Sequence, residues 1–191
     1  MPIQYTNRRS QTYYLHQSTT KNGKPRYNFS LKSEGTLVDK IPDGFEIYEN
    51  PNGRIFLRKI QPKIISDDEI EMVEQKIRQY SQLQYYRTDV KKNRIIIFTA
   101  DQDTMALSEL LKFAPFKKDV DVENLLNEVI SYSPRLHFVL INEEKRIFMV
   151  ERFCYLGSID DWITIGKPDK LQNQVQKYIK HLEQDSYYEL H

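Results

Sequence analysis

The chain is poor in cysteine and glycine, contains no long apolar run, and shows no excess of either charge. One cysteine among 191 residues excludes an internal disulfide framework and every zinc ribbon built on several cysteines. The six glycines, at 23, 35, 44, 53, 157 and 166, are isolated from one another. Neither a G-x-G-x-x-G loop nor a Walker loop can be assembled from them, so the standard phosphate cradles are absent. H-E-x-x-H, the EF-hand loop and the G-x-S-x-G elbow are missing as well. No run of ~18 apolar residues occurs, and Met1 to Thr20 is polar. Neither a membrane span nor a secretory signal is therefore expected, and the expected location is the cytoplasm. No cofactor is expected either.

Charge is present but unevenly spread. Residues 1–65 carry 11 basic and 5 acidic side chains, residues 66–120 carry 9 and 10, and residues 121–191 carry 8 and 12. The near-neutral total hides a basic first third and an acidic last third, which marks either a partner-facing surface or two ends that attract each other. At ~150 residues per domain the length suits one domain, or one with a small appendage. The expected organisation is a loose tail over 1–12, a basic β-hairpin region over 13–65 that can form a subdomain, and an α+β core over 66–191.

Turn chemistry sets the expected registers. Asn22-Gly23 predicts a two-residue hairpin loop, pairing Thr19 with Arg26 and His16 with Phe29. That register places Tyr14, His16, Tyr27, Phe29 and Leu31 on an apolar face, and Tyr13, Leu15, Arg26 and Lys32 on the other. Asn50-Pro51-Asn52-Gly53 predicts a second hairpin with a three-residue loop closed by a left-handed glycine. It pairs Tyr48 with Phe56, Ile47 with Leu57 and Glu46 with Arg58. Ser66-Asp67-Asp68-Glu69 is a capping box opening a helix. Two further hairpins are expected, over Tyr85 to Thr99 and over Leu136 to Phe153. Helices are expected at Met105 to Phe113, at Val122 to Tyr132, and in a last segment with Pro168 in its first turn and Leu171, Val175, Tyr178, Ile179 and Leu182 on its apolar face. The whole reads as an α+β fold, a mostly antiparallel sheet built from hairpins with about four helices packed against it.

Three chemistries compete. Cys154 and His137 are the only thiol–imidazole pair on neighbouring strands, but a register pairing His137 with Val150 leaves the cysteine ~13 Å away, too far for a nucleophile and its base. Asp101 and Asp103 at a strand-to-helix junction, with Glu151, Asp160 and Asp161 near a central strand, supply carboxylates for a divalent metal. They suit a metal-dependent hydrolase or nuclease, while N-capping and turn formation explain the same residues without function. Basic residues interleaved with aromatics are the third. Tyr13, Lys21, Lys24, Arg26 and Lys32 lie on one hairpin, and Arg54, Arg58 and Lys59 on the next. Cations that neutralise phosphates and rings on which bases stack are what single-stranded nucleic acid requires.

Tyr13-Tyr14-Leu15-His16 with Gly23-Lys24-Pro25-Arg26-Tyr27, the stretch Ile41-Pro42-Asp43-Gly44-Phe45-Glu46-Ile47-Tyr48-Glu49, and Glu151-Arg152-Phe153-Cys154 followed by Gly157-Ser158-Ile159-Asp160-Asp161-Trp162-Ile163 resemble a group of uncharacterised bacterial proteins of similar length. The resemblance implies a bacterial, intracellular origin and no mechanism. The preferred reading is a non-enzymatic binding module whose basic N-terminal surface takes single-stranded nucleic acid or an acidic protein. Its rivals are the carboxylate-based enzyme and a structural subunit of a protein assembly.

Overall fold

In the computed structural model, which describes residues 1–113, 121–156 and 159–191, the chain divides into two units. One comprises Met1–Gln61 with Gln102–Ser131, the other Pro62–Asp101 with Tyr132–His191. The α+β class and the antiparallel pairing are as the turn chemistry predicts. Among the described residues, two α-helices fall in each unit. The expected boundary near residue 65 falls at 61, and the expected core segment over 66–191 gives up residues 102–131 to the N-terminal unit.

In the N-terminal unit, β1 (Gln4–Thr6), β2 (Thr12–Thr19) and β3 (Pro25–Ser30) form a three-stranded antiparallel sheet in that order. Residues 1–12 are therefore no loose tail: Gln4, Tyr5 and Thr6 pair with Tyr14, Tyr13 and Thr12. The β2–β3 register is one residue away from the expected one, with Thr19 opposite Pro25, Gln17 opposite Tyr27 and Leu15 opposite Phe29. The cause is the loop. The Thr20 amide donates to the Lys24 carbonyl (2.8 Å) and the Gly23 amide to the Thr20 carbonyl (2.9 Å), with Gly23 at φ +74°. Three residues turn the chain rather than two. A one-residue shift exchanges the faces of β2, so Leu15, fully buried, joins the face of Tyr27 and Phe29, while Leu31 lies beyond the end of β3 and is 55% exposed. Tyr14 and His16 move to the face that carries Arg26.

The second ribbon, β4 (Phe45–Glu49) and β5 (Ile55–Lys59), has the expected register, with Tyr48 opposite Phe56 and Glu46 opposite Arg58. Its turn is closed by the Asn50 amide to the Arg54 carbonyl (3.0 Å) and by the Gly53 amide to the Asn50 carbonyl (2.9 Å). The Asn50 side chain accepts from the Asn52 and Arg54 amides. β3 lies alongside β5. Helices α2 (Thr104–Phe113) and α3 (Val122–Val129) lie against each other.

In the C-terminal unit, β6 (Tyr86–Lys91), β7 (Arg94–Ala100), β8 (Tyr132–Asn142), β9 (Ile147–Leu156) and β10 (Ile159–Lys170) form one antiparallel sheet in sequence order. Helices α1 (Asp67–Tyr80) and α4 (Leu171–Tyr178) bury Val73, Ile77, Leu171 and Val175 in one cluster with Ile95, Ile97, Leu136, Phe138 and Val150 of the sheet. α1 opens on the capping box: the Ser66 hydroxyl accepts from the Glu69 amide, and the Glu69 carboxylate from the Ser66 amide. Glu69 also receives Arg146 Nε at 2.9 Å. Burial alone would raise the Glu69 carboxyl, but the hydrogen bonds from Arg146 and Ser66 outweigh it and hold the group below its ordinary range. Pro168 lies within β10 rather than in a first helical turn. The β8–β9 turn closes with Asn142 opposite Ile147, two residues out of the expected register, and a bulge between Leu140 and Asn142 takes back one, so His137 stands opposite Glu151 rather than Val150.

Candidate nucleic-acid interface

Strand alternation gives β5 two unlike faces. Ile55 is buried, and Glu49, its cross-strand partner, accepts the Tyr5 hydroxyl at 3.1 Å and the Arg8 amide at 3.1 Å. That face is turned inward, and burial with the Glu49 hydrogen bond pushes the Tyr5 hydroxyl up from its ordinary pKa. The opposite face carries Arg54, Phe56 and Arg58 in succession, with Tyr48 beside Phe56. Phe56 is 45% exposed, and the Tyr48 and Phe56 rings lie 6.3 Å apart at 30°. The Arg58 guanidinium sits over the Tyr48 ring at 4.1 Å and binds Glu46 at 2.8 Å. The result is a solvent-facing alternation of cation and ring. Tyr48 and Phe56 escape a reading based on hydrophobicity, because both residue types are ordinary core formers. The signal in the sequence was the period-two run Arg54, Phe56, Arg58.

The structure separates the sequence-predicted residues into three groups. Lys21, Lys24 and Arg26 are exposed around the β2–β3 tip, Lys32 is exposed beyond the end of β3, and Lys59 is exposed at the last position of β5. Tyr13 and Arg26 occupy opposite faces of the first sheet, contrary to expectation. Tyr13 lies instead in a cleft with Arg9 and Arg54; Arg9 belongs to the segment over 1–12 whose lack of periodicity reads as a loose tail. Ion pairs within residues 1–61 use that segment's own acids: Arg8 with Glu49, Lys40 with Asp43 and Arg58 with Glu46. Among the described residues, no ion-pair partner meets Lys21, Lys24, Arg26, Lys32, Arg54 or Lys59.

The carboxylates expected to hold a metal do not gather. Among the described residues no three His, Cys, Asp or Glu side chains converge as a metal site. Asp103 caps α2, accepting from the Met105 and Ala106 amides. Asp160 and Asp161 stand opposite Tyr155 and Cys154, and the Asp161 carboxylate accepts from the Trp162 amide. Asp101 is exposed. Glu151 is spent on His137, 3.4 Å from Nδ1.

That imidazole is a packing element. It is 4% exposed and stacks on Trp162 with centroids 3.2 Å apart at 14°. Burial, then the Arg94 and Lys91 charges, lower its pKa to about 3. The neighbouring carboxylate does not reverse this, because it serves as acceptor for a neutral ring whose Nδ1–H donates. Cys154 is buried and lies on the other face of β9 from Glu151, so the thiol and imidazole are divided by the sheet.

No helix among the described residues is long and apolar enough to cross a membrane. Comparison with known proteins finds no matching family model, no matching curated protein and no matching solved structure. Function must therefore be argued from geometry.

Proposed function

We propose that the N-terminal unit is a binding module for single-stranded nucleic acid, with the outward face of β4–β5 as its platform. The observation that carries this reading is the alternation Arg54, Phe56, Arg58 on one exposed strand face with Tyr48 beside it. Bases stack on aromatic faces at ~1–3 kcal/mol each, whatever their identity, and flanking cations neutralise the phosphates between them. Arg58 is partly engaged by Glu46, so it positions the Tyr48 ring more than it supplies charge. Free charge comes from Arg54 and from Lys21, Lys24 and Arg26 on the neighbouring ribbon. A net charge of +1 limits long-range attraction, and binding is carried by this local patch.

Four cations engaging phosphates give a slope of about −3 in log K against log salt for a single strand. Anisotropy of a labelled oligothymidylate, titrated between about 50 and 200 mM salt, reads that slope. Phe56→Ala is expected to weaken binding about tenfold at every salt concentration, since stacking is not screened. Lys21→Ala with Lys24→Ala is expected to flatten the slope by about 1.4. Absence of binding at the lowest salt, or an unchanged affinity in Phe56→Ala, overturns the proposal.

A further inference from the structure

The cleft at the turn end of β4–β5 has a volume of about 380 Å³ and is lined by polar side chains, among them Arg9, Gln11, Tyr13, Asn52, Arg54 and Ser131. We infer that it binds a nucleotide carrying a terminal phosphate monoester, either the phosphorylated end of a strand or a free mononucleotide. The strand source rests on the function proposed above; the mononucleotide source does not.

The walls are fixed before any ligand arrives. Asn7 Oδ1 accepts from the Arg9 and Gln11 amides at 3.0 and 2.8 Å, while its Nδ2 donates to the Gly53 carbonyl at 2.6 Å. Asn50 Oδ1 holds the Asn52 and Arg54 amides at 3.0 and 2.9 Å. Two asparagine-organised turns are thus tied to each other, and Arg9 Nη2 is anchored on the Ile130 carbonyl at 2.8 Å. Such preorganisation spares a ligand the cost of ordering the loops.

Charge selects the ligand. Arg8 turns to Glu49, but neither Arg9 nor Arg54 has an acidic partner among the described residues. Arg9 Nε is enclosed and meets no acceptor, a costly state for a guanidinium nitrogen. No carboxylate lines the cleft. Two uncompensated guanidiniums match the charge of a monoester, ~−1.5 to −2 at neutral pH, better than the single charge of an internal diester. Guanidinium forks also suit phosphate oxygens geometrically. The Tyr13 ring and the Gln11 and Asn52 amides then provide a stacking surface and hydrogen-bonding groups for the base. The volume lies within the ~300–1,000 Å³ of small-ligand pockets.

The test uses the full chain and one oligonucleotide sequence, unmodified or carrying a 5′- or 3′-terminal phosphate, with adenosine and cytidine monophosphates as free ligands. A phosphorylated end is expected to raise affinity about tenfold, and Arg54→Gln to bring that ratio back to about one. Arg54 is exposed, so the variant folds, and an unaltered melting temperature verifies it. Arg9→Gln is expected to act in the same way, and the same melting curve reads the stability lost with its Ile130 anchor. Phe56→Ala is expected to lower both affinities and preserve the ratio. Mononucleotide binding that Arg54→Gln abolishes identifies the free nucleotide as a ligand in its own right. If neither a terminal phosphate nor a mononucleotide gives any gain, the inference is overturned even where unmodified strands bind. If mononucleotides bind and no strand does, the inference stands and the strand-binding proposal falls.

Discussion

Gly53 sits at φ +74°, and a Cβ there would meet Arg9 Cγ and Cδ and Asn7 Nδ2, each at 3.3 Å. Only glycine takes this backbone conformation without penalty, and the side chains it would displace are those that shape the cleft. Gly53→Ala is expected to cost about 1–2 kcal/mol, read by circular dichroism on urea unfolding, and to weaken binding of phosphorylated ligands. His137 makes the second prediction at this scale. Its folded pKa of about 3 lies below the ~6.5 of an unfolded histidine, so the unfolded state binds the extra proton. The stacked neutral ring therefore costs nothing above about pH 6.5. Below it, stability falls by up to ~1.4 kcal/mol per pH unit until the folded pKa is reached. Urea unfolding followed by Trp162 fluorescence should show that loss, and His137→Phe, which keeps a ring against Trp162, should flatten it.

Among the elements, the C-terminal segment carries more than its irregular form suggests. Arg152 is 6% exposed, on the helix-covered face of the sheet, and donates from Nε to the Leu190 carbonyl at 2.7 Å and from Nη2 to the Tyr188 carbonyl at 3.2 Å. Its guanidinium lies 5.7 Å from the Tyr187 ring. The Tyr187 hydroxyl donates to the Arg135 carbonyl at 2.6 Å, and burial pushes that hydroxyl up to about 12. Deleting residues 183–191 strips a buried cation of these acceptors, and the expected loss is at least ~3 kcal/mol, measured by urea unfolding on Trp162 fluorescence. Arg152→Met in the truncated chain should recover part of it. Elements were also where the sequence was most and least legible. Asn50-Pro51-Asn52-Gly53 specified its turn and therefore every pair in β4–β5. Asn22-Gly23 fits a two-residue turn and a three-residue one equally well, and the choice between them fell to the burial of Leu15. Tyr48 and Phe56 read as ordinary core formers, and Arg9 joins Tyr13 and Arg54 only because separate turns bring them together, which leaves no contiguous motif.

At the scale of the whole molecule, the charge asymmetry read from the sequence takes a specific form. The basic third keeps its acids to itself in Arg8–Glu49, Lys40–Asp43 and Arg58–Glu46, leaving the cations of the β2–β3 tip to solvent. Composition could show the excess but not its distribution. The N-terminal unit is also discontinuous: Arg9 reaches the Ile130 carbonyl, and Ser131 lines the cleft. A fragment ending at residue 65 therefore lacks part of its own site. It is expected to show no cooperative thermal transition by circular dichroism and no preference for phosphorylated strands, whereas the full chain shows both.

That discontinuity has a temporal side. Residues 1–61 emerge from the ribosome first, yet the unit they belong to waits for 102–131, and residues 62–101 are made in between. At ~5–20 residues per second, the early ribbons spend several seconds without their remaining segment, their strand edges and unneutralised lysines open to whatever polyanion is nearest. Nascent chains of this protein should accordingly be most vulnerable to proteases, and most receptive to RNA, while their length lies between these two stretches.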